Sequence, residues 1–201
     1  MKFIPVTKDG NHVFRISTED VHVFFLYNFS GSVTFDIKKQ TTEVYIFGLY
    51  LGNDTDAFSL NTAQHHRAGL SISDLLIKGI FNGSSKFIYK GLIRIEKNAQ
   101  KSNAYQKNQN IMLSPDVFVD SRPYLEICAN DVRCTHGSTT GQISKDDMFY
   151  LETRSHSNLE AKKLILEGFI IDLFDKINSI GEDVSVAKFR KSCIKDLYNI
   201  L

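Results

Sequence analysis

Hydrophobic and polar positions follow one rhythm up to about residue 143 and another beyond it. In the first part, short apolar or alternating runs are separated by turn residues: "SVTFDI" (32–37), "EVYIFGLYLG" (43–52), "AFSLNT" (57–62), "GLSIS" (69–73), "KFIYKGLIRIE" (86–96), "NIMLS" (110–114), "YLEI" (124–127) and "DVRC" (131–134). Val33, Phe35 and Ile37 alternate with Thr34 and Asp36, the period of a half-buried strand. Leu92, Ile93, Arg94 and Ile95 fit a strand buried more deeply. Turn signals stand at "GND" (52–54), "NGSS" (82–85) and "SPD" (114–116). The spacing of the runs has no fixed length, so periodicity alone does not define a solenoid. It does predict many short strands.

After residue 144 the pattern is helical. Ser144 and Asp147 mark the start of a short helix through Tyr150–Leu151. Ser157 and Glu160 have capping-box spacing, in which each side chain satisfies the other's free backbone N–H. The run that follows carries Leu159, Leu166, Ile170, Leu173, Phe174 and Ile177 on one broad face, and Gly181 ends it. A last helix, about Ser185 to Ile200, has a stripe of Val186, Phe189, Cys193, Leu197 and Ile200. Two uses of these helices stay open: covering an edge of the sheet, the commoner one, or receiving a partner.

A chain of 201 residues, 42% hydrophobic and 23% charged, is an ordinary globular composition with room for one substantial core. A net charge of +1 gives no electrostatic footprint for nucleic acid or an acidic membrane surface. The N-terminal "MKFIPVTKDG" lacks the apolar centre of a signal peptide, and no stretch is long and apolar enough to span a bilayer. Three cysteines in this setting read as free thiols in a reducing compartment, the cytoplasm or an organelle interior.

Candidate chemistry concentrates in "DVRCTHGSTTGQ" (131–142). If Val132–His136 is a strand, Cys134 and His136 project from one face, because strand side chains repeat every second residue. A thiolate and an imidazole suit a soft metal such as iron or zinc, but two donors do not close a site. Packed or hydrogen-bonded residues are the commoner reading of such a pair. Cys128 shares their face only if one regular strand joins it to Cys134, and Asn130–Asp131 reads as a turn. Cys193 reads as a core thiol. His65 and His66 are adjacent, so in a strand they point to opposite faces and read as a surface or turn feature. Lys86, Lys90, Arg94, Lys97, Lys101 and Lys107, interleaved with Phe87, Tyr89 and Tyr105, are candidates to seat a single nucleic-acid strand. The neutral overall charge favours a solvated sheet face instead. Asp146–Asp147 sits at a helix start, where carboxylates complement the dipole. There is no Ser/His/Asp signature, phosphate-cradling loop or metalloprotease motif, so no enzyme is expected.

Several ordered stretches carry a more specific signal. They are "KG" (78–79) ahead of "KGLIRI", "AQKSNAYQKNQNIMLS" (99–114), "PYLEI" (123–127), "DVRCTHGSTTGQ" (131–142) and "MFYLETR" (148–154), followed by "EAKKLILEGF". Together, over residues 78–169, they resemble the core domain of the SufB/SufD family of the SUF iron–sulfur cluster assembly system. "CTHGST" resembles the SufD form.

The resemblance implies a mainly β fold: a right-handed parallel β-helix over residues 1–143, closest to the family from about residue 78, then a helical C-terminal region over 144–201. It implies a scaffold rather than an enzyme, pairing with a SufB-like subunit through the β-helix and docking a SufC-like ATPase through the C-terminal helices. A transient iron–sulfur cluster would form near the subunit interface, with none bound stably by the chain alone. His136 matches the histidine assigned to that interface and is the candidate metal ligand; Cys134 matches the accompanying family cysteine. In isolation a homodimer is expected, with no nucleic-acid or membrane partner. The alternative from another class is a self-associating structural solenoid that binds no cluster. The sequence also departs from the family. A SufD-like chain is expected to be about twice this long, with a helical N-terminal domain and more turns. The first 30 or so residues carry no match, and "TRSHSN" (153–158) stands where a glycine-containing turn is expected after the arginine.

Overall fold

The computed structural model describes every residue from Met1 to Leu201. Eleven strands come first: β1 (Lys2–Val6), β2 (Gly10–Ile16), β3 (Val21–Tyr27), β4 (Gly31–Ile37), β5 (Glu43–Gly52), β6 (Ala57–His66), β7 (Ile72–Phe81), β8 (Lys86–Ile95), β9 (Asn103–Met112), β10 (Phe118–Ile127) and β11 (Arg133–Gly141). Three helices follow: α1 (Lys145–Glu152), α2 (Asn158–Ile180) and α3 (Val184–Tyr198). Odd-numbered strands form one sheet in the order β1-β3-β5-β7-β9-β11, and even-numbered strands form a second, β10-β8-β6-β4-β2. Every pairing is parallel and joins strands two apart in sequence. The chain is therefore a β-solenoid, each strand stacking on the one a turn earlier. The residues before 30, which matched nothing by motif, supply β1 to β3 of the same solenoid.

The register explains why no repeat is visible in the sequence. Val44, Ser73, Ala104 and Cys134 stack in one column, and Gly31, Leu60, Tyr89 and Ser121 in another. The steps between these numbers differ from turn to turn because the corner loops differ in length. Left-handed residues make the corners, with Thr41, Leu70 and Lys101 at φ of 58°, 57° and 60° in successive odd-sheet corners.

Side chains turned into the solenoid form the main core, including Phe24, Phe35, Ile46, Tyr50, Leu75 and Phe87. The outer face of the odd sheet is buried as well. Phe25, Leu49, Leu76 and Ile80 meet Leu166, Ile170, Leu173 and Phe174 of α2 and Leu197 of α3. Burial on both faces is why β3 and β5 read as nearly continuous apolar runs. The helices thus cover a sheet face, not the edge that was the commoner expectation. β8 differs from its sequence reading for the opposite reason. Ile93 and Ile95 point inward and are fully buried, whereas Leu92 and Arg94 face outward on the uncovered even sheet.

Local signals at the helices are realised atom by atom. Ser144 Oγ accepts from the Asp147 backbone N–H, and Ser157 and Glu160 form the reciprocal capping box. Gly181 follows α2, and Asp183 caps α3 by accepting from Ser185 N–H. Leu159, expected on the buried face of α2, is instead 49% exposed and lines a cleft beside α1. No helix is long and apolar enough to cross a membrane.

Candidate partner interface at the open end of the solenoid

The last turn, β10 and β11, ends both sheets, and no further strand pairs with either. Long edge strands with free backbone N–H and C=O groups are templates for another chain. Between these two edges the solenoid interior opens to solvent. On the β10 side, Leu125 and Ile127 point inward yet remain 38% and 41% exposed. On the β11 side, the inward row is Cys134, His136, Ser138 and Thr140, stacked in register on Ala104, Gln106, Asn108 and Asn110 of β9.

Cys134 and His136 do share a face, but their surroundings differ. Cys134 is half-buried against Ile93, Ile95, Ala99, Ala104 and Ala129, a small satellite core. That burial raises its thiol pKa, so it is a packed thiol rather than a ready thiolate. His136 is exposed at the mouth of the open end. Beneath it the interior turns from apolar to polar along two columns, from Ile46 through Leu75 to Gln106, and from Tyr50 through Gly79 to Asn110. Asn108 and Asn110 bond reciprocally, with Asn110 Nδ2 donating to Asn108 Oδ1 at 2.7 Å, and Asn110 Nδ2 also donates upward to Thr140 Oγ1 at 3.2 Å. Gln106 Nε2 crosses to Gly91 O at 3.3 Å. Its Oε1 is buried without a partner, as are Gln64 Oε1 and Ser121 Oγ. Buried acceptors are normally satisfied, which makes such atoms worth explaining.

The remaining candidates fall elsewhere. Cys128 is exposed just beyond β10, separated from β11 by the turn, so it does not join Cys134. Cys193 is fully buried on the inner face of α3, its thiol pushed up to about 12 by burial. His65 and His66 do point to opposite faces, but they are not a surface or turn feature. They close β6, where His66 is fully buried between Ser71 Oγ and Ser73 Oγ at 2.7 Å each. His65 faces outward, with Nε2 at 2.7 Å from Glu96 Oε1 and Nδ1 at 3.7 Å from Asp36 Oδ1. The basic series separates too: Lys90 and Arg94 lie on the outer even sheet, while Phe87 and Tyr89 turn inward and are fully buried. A stacking platform for bases is therefore absent. No three His, Cys, Asp or Glu side chains come together in a way that could hold a metal ion.

Sequence reasoning missed Gln106, Asn108 and Asn110. "AYQKNQN" has polar residues at both inward and outward positions, so apolar alternation is silent there. The one signal that finds them is registration of β9 against the Cys134–Thr140 row. A second feature, a 520 Å³ cleft, lies between the end of β9, α1 and the start of α2, with Met112, Ile143, Phe149, Leu159 and Ile200 in its walls.

The protein is a parallel β-solenoid with helices on one face and an open end lined by Cys134 and His136. Residues 29–169 match the family model described as SUF system FeS cluster assembly, SufBD core domain, and the chain belongs to that family. It is 32% identical over 145 residues to the iron–sulfur cluster assembly protein SufD of Escherichia coli, covering 72% of this chain and 34% of that protein. It is 28% identical over 148 residues to SufD of Bacillus subtilis, covering 70% and 34%. A SufBD family iron–sulfur cluster assembly protein of Synechocystis is 29% identical over 136 residues, covering 68% and 30%. The chain thus matches about a third of the length of these curated relatives.

Proposed function

We propose that the chain is a SufD-like scaffold of iron–sulfur cluster assembly that pairs with a SufB-like subunit through the open end of its solenoid. The observation that carries this reading is that Cys134, His136 and Ser138 of "CTHGST" line the inward face of an edge strand on which no further strand pairs. A partner strand or a partner turn stacked on β10 and β11 would satisfy the free backbone groups and dry the exposed Leu125 and Ile127.

His136 then lies at the seam, where its imidazole can offer a lone pair to a nascent cluster. The cluster is cargo, formed with donors from both chains, since Cys134 and His136 are two donors and a closed site needs more. Cys134 serves chiefly as packing beneath the seam. A SufC-like ATPase would dock on the helical side, where Phe149 and Tyr150 of α1 are 68% and 56% exposed beside the 520 Å³ cleft. The chain would perform no turnover of its own and would work in the cytoplasm or an organelle interior.

The same exposed edges also support the second reading, a solenoid that self-associates end to end and binds no cluster. Anaerobic co-purification with SufB- and SufC-type proteins of the same organism separates the two. A stoichiometric complex is the expected result. Recovery of the chain alone as a homodimer overturns the assembly reading and leaves the structural one.

A further inference from the structure

The polar column beneath His136 contains an unpaired acceptor at the next position down. Gln106 is the register partner of His136, one strand below it in the same inward row. It is 1% exposed, and its amide is anchored on one side only, through Nε2 to Gly91 O. Gly91 gives the amide its room: a Cβ there would stand 2.4 Å from Gln106 Nε2 and 2.3 Å from Tyr89 Oη. The amide is therefore held across the interior with Oε1 unsatisfied, immediately under the mouth that His136 occupies.

Inward side chains on these two strands can meet across the ladder, as one pair shows. The next-but-one pair of the same register, Asn110 and Thr140, makes a hydrogen bond at 3.2 Å. Gln106 and His136 stand in the same relation, and the exposed imidazole has the freedom to turn that a buried one lacks.

We propose that Gln106 is a positioning residue for His136: its buried amide oxygen accepts the ring Nδ1–H, which holds the ring in one tautomer and leaves the Nε2 lone pair facing out of the open end. A hydrogen bond of this kind, from the ring nitrogen not used for ligation to a fixed oxygen, sets which nitrogen is basic and where it points. It also removes the orphaned acceptor from the interior. The amide suits this task because it is neutral and accepts at all working pH values, and its own geometry is fixed by Gly91.

The proposal rests on reading His136 as an interface residue, but its test needs only the isolated chain. Long-range nitrogen–carbon-proton NMR correlation on 15N-histidine-labelled protein, at a pH where the ring is neutral, reads the tautomer of His136 directly. Wild type is expected in the Nδ1–H form. Gln106→Met, which keeps the volume and removes the acceptor, is expected to return His136 to the Nε2–H form that a solvated imidazole prefers, with the rest of the amide spectrum in place. An Nε2–H ring in wild type overturns the proposal whether or not the variant folds. An Nδ1–H ring that persists in a folded Gln106→Met overturns it as well. Loss of partner binding or of cluster yield would bear on His136 as an interface residue and would leave the tautomer result untouched.

Discussion

Lys78 of β7 passes beneath α2 and donates through Nζ to Asp172 Oδ2 at 2.6 Å and to the Phe169 carbonyl at 2.7 Å, with the Phe169 ring 4.2 Å from the ammonium. The lysine side chain is 3% exposed and Asp172 is 48% exposed, so the pair ties a buried charge to a partly solvated one. Burial lowers the Lys78 pKa, and Asp172 offsets part of that shift. The "KG" that opens the family motifs is thus, in its lysine, the pin between solenoid and helical layer.

Removing one partner of such a pair is costlier than replacing the buried one by an apolar isostere, because an uncompensated buried charge is left behind. Asp172→Asn is expected to destabilise the chain by about 2–3 kcal/mol and Lys78→Met by about 1 kcal/mol. In the double variant the loss stays near that of Lys78→Met. Urea unfolding of the four proteins measures the cycle, and equal, additive losses would show that the two side chains do not act as a pair.

His66 provides the clearest pH dependence. Burial between two serines lowers its pKa from 6.5 to about 4. The folded ring stays neutral while the unfolded ring takes up a proton, so this stability is complete above 6.5 and is lost as pH falls toward 4. The full loss is up to about 3 kcal/mol. His22 contributes with the same sign, its pKa lowered mainly by burial. His66→Gln retains donor and acceptor without titrating, so its urea midpoint is expected to fall less steeply than wild type across this window. Parallel slopes would remove His66 from the acid sensitivity.

Ser155 adopts φ of +68° immediately after Arg154, in the turn where the family resemblance led to a glycine being expected. A left-handed conformation costs a residue with a Cβ about 1–2 kcal/mol. Ser155→Gly should recover roughly 0.5–1 kcal/mol, less than the full strain because glycine also gains entropy in the unfolded chain. Thermal unfolding tests it, and a lower Tm would mean that the Ser155 side chain contributes something the turn geometry does not reveal.

How much of this was legible in the sequence depended on what each strand buries. β4 and β5 were readable almost to the residue, since Val33, Phe35 and Ile37 alternate and β5 is buried on both faces. β9 was visible only at its end, because Gln106, Asn108 and Asn110 fill its inward row with polar side chains. β10 and β11 were seen as fragments for another reason: they are edge strands with mostly exposed side chains, so no buried face imposes an apolar period on them. The motif row Cys134–His136 was conspicuous as residues, yet its meaning depended on a register that no local pattern encodes. His66 shows the same limit, since nothing beside it in sequence announces that its two partners are Ser71 and Ser73 of the next turn's approach.

The open end makes a prediction that separates folding from association. Leu125 and Ile127 face the interior mouth from β10 and already contact water, so lysines at both positions can keep their ammonium groups solvated. Leu125→Lys with Ile127→Lys is therefore expected to cost the single chain about 1 kcal/mol or less. The same charges cannot be dried without a partner of opposite sign, and burying them in a stacked interface costs several kcal/mol each. Association through this end, with a SufB-like subunit or with a second copy, is expected to weaken by at least about tenfold, since about 1.4 kcal/mol is enough for that change. Sedimentation analysis of the variant alone and mixed with a SufB-type protein, alongside urea unfolding, reads both quantities. If assembly persists at wild-type strength while the variant remains folded, the open end is not the interface, and partners must meet this chain on another surface.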